Sequence, residues 1–218
     1  MSEDFFDLGD HEPEDDALEL DVVHRHPDWH APPQGTLPGV VPLELVVART
    51  EQVAVCVTGL AAYPSGFEFQ LRTLAAPEAV EVDPHLFDPP MRYRRRGTGP
   101  GGEMPAEFLR FGIQFPDGTK VTNLATDFPD DLPDGPVLVE RGGGGSGTEW
   151  RQDMWVWPLP EAGELDFVCE WPAAGIPLTR RPLETAPLRQ AASRAQVVFS
   201  WDHVPLWGDE DDDEDDEL

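Results

Sequence analysis

One lysine, two cysteines and five serines among 218 residues leave little material for several common chemistries. The lone Lys120 is followed by Val121, whereas a Walker A loop needs Lys followed by Ser or Thr after a glycine turn, so a P-loop nucleotide site is excluded. None of the serines lies in a G-x-S-x-G elbow, and neither Cys56 nor Cys169 has a catalytic signature around it. Both cysteines alternate with apolar neighbours, Cys56 among valines and Cys169 between Phe167 and Trp171, as small core residues do. They are expected to remain thiols; the rival arrangement is an intersheet bridge packed on a tryptophan. The opening MSEDFFDLGD lacks a basic and apolar leader, and no apolar run approaches the roughly 18 residues that span a bilayer. A cytoplasmic chain without membrane contact is the expectation. With 24 prolines and 20 glycines, long helices are disfavoured too.

What the chain has in abundance is acid. Its formal charge is -28, and the acids crowd the ends: ten lie within residues 3–21, and residues 209–217 are all Asp or Glu. Such runs cannot offset the entropy of ordering, so residues 1–33 are expected to be a largely disordered acidic segment and residues 209–218 a disordered acidic tail. Within the first segment, scattered apolar residues leave room for a recognition element or an edge strand at 18–23. A single β-rich domain then occupies residues 34–208. Acidic tails suit a protein partner with a basic surface and disfavour nucleic acid. The one concentration of positive charge, Arg92, Arg94, Arg95 and Arg96 before a glycine run, is a candidate anion contact or a flexible loop facing the protein's own acids.

Residues 150–171, WRQDMWVWPLPEAGELDFVCEW, hold four of the seven tryptophans. They read as two strands, 150–157 and 164–171, separated by Pro158, Pro160 and Gly163 and expected to pair antiparallel. In the second, Leu165, Phe167, Cys169 and Trp171 share one face and Asp166, Val168 and Glu170 the other. Upstream, 43–50 and 52–60 form two strands around a turn at 50–52, and Phe67, Phe69 and Leu71 head a third, which makes a meander. Residues 108–115 and 119–124 flank Pro116-Asp117-Gly118, a plain hairpin signal. Residues 185–195 are the best helix, with Thr185 as its cap and Leu188, Ala191, Ala192 and Ala195 as its apolar stripe. The fold class is therefore mainly β: an antiparallel β-sandwich or partly closed barrel of about seven to ten strands, with one short C-terminal helix and disordered acidic termini.

Two further patterns fail on context. His24, His26, His30 and Asp28 in HRHPDWH have metal-ligand residue types, but Pro27 blocks a regular helix and no second ligand cluster follows, so a solvated loop is expected and no metal. Gly142, Gly144 and Gly147 satisfy GxGxxG, yet the motif must open a helix and here it precedes a strand, which reads as a flexible hairpin loop. No cofactor is implied.

The functional expectation is a non-catalytic protein-interaction module, with an enzyme using acidic groups as a minor option. The alternative is a small-ligand or carbohydrate-binding β-sandwich in which Trp155 and Trp157, on one face about 7 Å apart, form an aromatic platform; core packing is the competing role for that pair. The segment containing WVWPLP, FVCEW and AAGIPLTR, within residues 150–180, resembles a family of uncharacterised actinobacterial proteins of no known function. The resemblance implies a bacterial, cytoplasmic protein and brings no catalytic residue with it.

Overall fold

A computed structural model describes residues 23–82, 108–124 and 132–207. Its strands are β1 (Thr36–Leu37), β2 (Gly39–Arg49), β3 (Val53–Ala62), β4 (Phe67–Ala75), β5 (Arg110–Gln114), β6 (Lys120–Thr122), β7 (Val137–Ser146), β8 (Glu149–Trp157), β9 (Glu164–Trp171), β10 (Ile176–Glu184) and β11 (Gln196–Val197). Two helices join them, α1 (Pro77–Val82) and α2 (Thr185–Ala192). The fold is mainly β and every ladder is antiparallel. A five-stranded sheet runs β2-β3-β4-β8-β7, a four-stranded sheet runs β10-β9-β5-β6, and β1 pairs with β11; among the described residues no sheet closes on itself.

Alternation decides which residues lie between the sheets. On β4, Phe67, Phe69 and Leu71 are buried while Glu68, Gln70 and Arg72 are half-exposed. Phe69 meets Phe111 of β5 and Phe167 of β9, with ring centroids 5.8 and 5.4 Å apart, so one core joins the two sheets. Burial of each such ring contributes about 1.5–3 kcal/mol. The hairpin of β5 and β6 turns at Gly118, whose φ of 88° suits glycine, and Asp117 locks the turn by accepting from the Thr119 amide at 2.9 Å. Helix α2 lies against β2 and β3. A Cβ at Gly39 would overlap the Ala191 carbonyl oxygen, so the strand must be bare where the helix crosses it.

Several expectations need correcting. Strands β8 and β9 do not pair: β8 is flanked on both sides by β4 and β7, so the chain leaves the ladder at Pro158 and β9 joins the opposite sheet. The glycine run is not a loop, because Gly142, Gly143, Gly144 and Gly145 pair with Asp153, Gln152, Arg151 and Trp150 as part of β7. Strand β10 was not expected at all, since Pro177 and Pro182 interrupt it; it lies at a sheet edge and bulges after Ile176, where prolines are tolerated. Thr185 does not cap α2. Its hydroxyl donates to the Glu161 carbonyl at 2.8 Å and accepts from the Gly163 amide at 3.0 Å, tying the helix start to the β8–β9 connection.

At the N-terminal side, structure begins before residue 34. Residues 23–33 carry the buried Trp29 and Ala31, and Arg25 bridges Leu206. The acidic residues 3–21 and 209–217, including the expected disorder and the edge strand at 18–23, lie outside the described residues apart from Val23. Cys56 and Cys169 are free thiols. Cys56 lies on the outer face of β3, opposite the buried Val53, Val55 and Val57, while Cys169 faces the core from β9, so they do not share a layer.

Candidate binding surface

The four-stranded sheet turns a mixed face away from the core. Register places Arg180, Val168, Gly112 and Thr122 in one row across its four strands. Gly112 has no side chain there, and the row dips into a groove of about 290 Å³. A Cβ at Gly112 would come within 2.6 Å of the Val121 carbonyl oxygen, so close strand approach keeps the dip empty. Val168 floors it, and Leu124 and the exposed Leu178 extend its apolar surface.

Both rim arginines are paired. Arg110 binds Glu170 at 2.6 Å, and Arg180 donates to Gln114 at 2.7 Å and to Asp166 at 3.3 Å. Lys120 of β6 stands opposite Gln114 in register. Cys169 underlies the groove but points inward, and burial pushes its thiol up to about 11, so it offers neither a reachable nor an activated sulfur. Small-ligand pockets span roughly 300–1,000 Å³, so this dip stands at the bottom of that range and is also of a size to take a side chain or two of a protein partner. What it offers chemically is shape, exposed apolar surface and a hydrogen-bonding rim.

A second cavity of about 340 Å³ lies between the β5–β6 turn and the β8–β9 connection, walled by Pro116, Pro136, Pro158 and Pro160 with Asp117 and Glu161. Two hydrogen bonds from Thr119 hold the Asp117 carboxyl below its ordinary range, so that acid already serves the turn.

Trp155 and Trp157 do not form an open platform. Trp155 has no exposed surface; its ring meets Tyr63 edge-on at 5.7 Å, and its indole N–H donates to the Asp28 carbonyl at 3.1 Å. Trp157 is half-buried beside it, with Val137 and Val139 of β7 completing a small second core. Gly66 is required beneath, because a Cβ would lie 2.7 Å from the Trp155 ring. The four arginines Arg92, Arg94, Arg95 and Arg96 lie outside the described residues. His24, His26 and His30 lie in an irregular segment and are half-buried rather than fully solvated: His26 and His30 rings are 5.4 Å apart, and His24 and His26 lie 5.7 and 6.1 Å from the Trp207 ring. Among the described residues no cluster of three metal-ligating side chains forms.

The groove itself was missed. Its signal was present in Val168, an aliphatic residue set between Asp166 and Glu170 on the outward face, and in Gly112 between Arg110 and Gln114. Neither becomes a surface until the register places them side by side. No helix among the described residues is long and apolar enough to cross a membrane. Comparison with protein-family models, with characterised proteins and with solved structures finds no match.

Proposed function

We propose that this chain is a non-catalytic, cytoplasmic interaction module, a β-sandwich whose four-stranded sheet receives a protein partner on its outer face. The observation that carries the reading is the groove at Gly112 and Val168: an apolar dip with exposed Leu178 at its side, rimmed by charge pairs. Paired rim charges favour orientation and specificity, while the charge of -28 speeds encounter with a basic partner surface.

The test compares three chains as baits in a bacterial lysate at low and high salt: the full chain, Val168→Arg, and a chain lacking both acidic ends. Val168→Arg fills the groove on an outward face and should leave the melting temperature nearly unchanged. Loss of the same captured protein with Val168→Arg but not with truncation supports the groove. Loss with truncation alone moves the function to the acidic ends.

A further inference from the structure

The cavity between the β5–β6 turn and the β8–β9 connection shares no lining residue with the Gly112 groove and is built of different material. Its walls include four prolines, at positions 116, 136, 158 and 160, which bring carbonyl oxygens but no N–H. Most of the other donors are spent. The Phe115 amide donates to the Thr119 carbonyl and the Leu159 amide to the Ser65 carbonyl, each at 2.8 Å. The amide and hydroxyl of Thr119 both donate to Asp117, at 2.9 and 2.6 Å. That leaves at most the amides of Asp117, Glu161 and Ala162, so the lining is rich in acceptors and poor in donors.

The walls hold their shape without an occupant. On one side Asp117 locks its turn through Thr119. On the other, the Thr185 amide donates to the Gly163 carbonyl at 2.9 Å, and the Thr185 hydroxyl donates to the Glu161 carbonyl. The Arg189 guanidinium of α2 donates to the Pro160 carbonyl at 3.0 Å. Turn and connection touch at Gly163, where a Cβ would stand 2.9 Å from that of Pro116.

The charge of the lining has one sign. Asp117 and Glu161 bring carboxylates, and no lining residue is basic. Both Thr119 bonds end on Oδ1 of Asp117, which keeps acceptor capacity on Oδ2, and they hold its carboxyl below the ordinary range, so it is ionised at neutral pH. The neighbouring cations stand outside the lining: Arg189 is bonded to the Pro160 carbonyl, and Lys120 lines the Gly112 groove.

We propose that this cavity receives an arginine side chain of a basic protein partner, its guanidinium meeting the Asp117 and Glu161 carboxylates and its stem lying on the proline wall. An anion would find like charge and few N–H groups, and an apolar side chain would leave both carboxylates without a donor. Lysine presents a compact, strongly hydrated point charge. The guanidinium is planar and weakly hydrated, lies against apolar walls and forks its donors between carboxylates. At about 340 Å³ the cavity admits such a side chain together with adjoining backbone. The chain's charge of -28 draws a partner of that sign toward it. The site is independent of the groove, because the two have no residue in common.

Amide NMR spectra of the full chain, titrated at low salt with the blocked tripeptide acetyl-Gly-Arg-Gly-amide, test the assignment. Saturable shifts should appear at Asp117, Thr119, Glu161 and Ala162, with weaker binding when lysine replaces the arginine and none when neutral citrulline does. Asp117→Asn, which keeps an oxygen for Thr119, combined with Glu161→Gln should weaken the arginine peptide by about tenfold or more. Both residues are exposed, and an unmoved Trp171 indole signal checks that the double variant is folded. Val168→Arg should leave the binding unchanged, whatever it does to capture at the groove. Shifts confined to residues 3–21 and 209–217, equal binding of the lysine or citrulline peptide, or an unaltered response in the double variant would overturn the proposal. Loss in Val168→Arg alone would move the peptide to the groove. If replacing Arg92, Arg94, Arg95 and Arg96 by Gln shifts the same four amides and strengthens peptide binding, the chain's own arginines fill the cavity and the partner assignment falls.

Discussion

Trp155 reaches across 127 residues of sequence to donate its indole N–H to the backbone carbonyl of Asp28. The bond joins the most deeply buried tryptophan of the sheet's outer face to a segment that its composition assigns to a tail. Replacing Trp155 by Phe should cost about 1–3 kcal/mol, from a smaller ring and an Asp28 carbonyl left without its donor. Replacement by Ala should cost about 3–5 kcal/mol. Denaturant unfolding of the two variants measures both, and a fold indifferent to either change would mean that the second core does not form.

Gly39 and Ala191 set the distance of α2 from the sheet. Gly39→Ala should destabilise by about 1–3 kcal/mol, because the new Cβ must push back a helix backbone rather than a flexible side chain. Gly144→Ala is the control, since nothing lies within 4 Å of the added atom. Thermal melts should separate the two variants clearly.

Denatured, unreduced protein should react with two equivalents of a thiol reagent, and zero would indicate a bridge. In the native state Cys56 should label first. Burial raises both thiols, Cys169 to about 11, so at pH 8 only about one Cys169 in a thousand is thiolate even when reached.

Glu68 should make a signed contribution to pH dependence. Its carboxyl is raised by burial, so the folded state holds its proton more tightly than the unfolded chain does. The stability it confers is present below the ordinary carboxylate value and lost as pH rises through the raised one. Glu68→Gln, which keeps an oxygen for the Tyr63 hydroxyl, should therefore gain stability over wild type at pH 7 and lose that advantage near pH 4. Denaturant midpoints at the two pH values check the sign.

Much of this architecture is legible wherever a local rule and the tertiary structure agree. The β5–β6 hairpin follows from Phe111 and Ile113 alternating up to Pro116-Asp117-Gly118, and the buried stripe of α2 from Leu188, Ala191 and Ala192. Where neighbouring sequence competes with distant partners, local reading fails. Strands β8 and β9 are adjacent in sequence, yet β4 and β7 already fill both edges of β8. Pro177 and Pro182 argue against a strand until the sheet edge that accommodates them is known. The groove has the same character, because Gly112 and Val168 are 56 residues apart and acquire meaning only as register partners.

The contacts of residues 24–34 also impose an order on the life of the chain. During synthesis residues 24–34 emerge early, but Arg141, Trp155 and residues 205–207 that hold them are made late. The meander of β2, β3 and β4 can form from contacts near in sequence, whereas the aromatic end of the outer face lacks part of its cover until residues 205–207 have left the ribosome. A nascent chain halted between β8 and the C-terminal segment would thus display Trp155 and Trp157 beside residues 24–34 still lacking their contacts with Pro205 and Trp207, the state in which a chaperone has most to recognise.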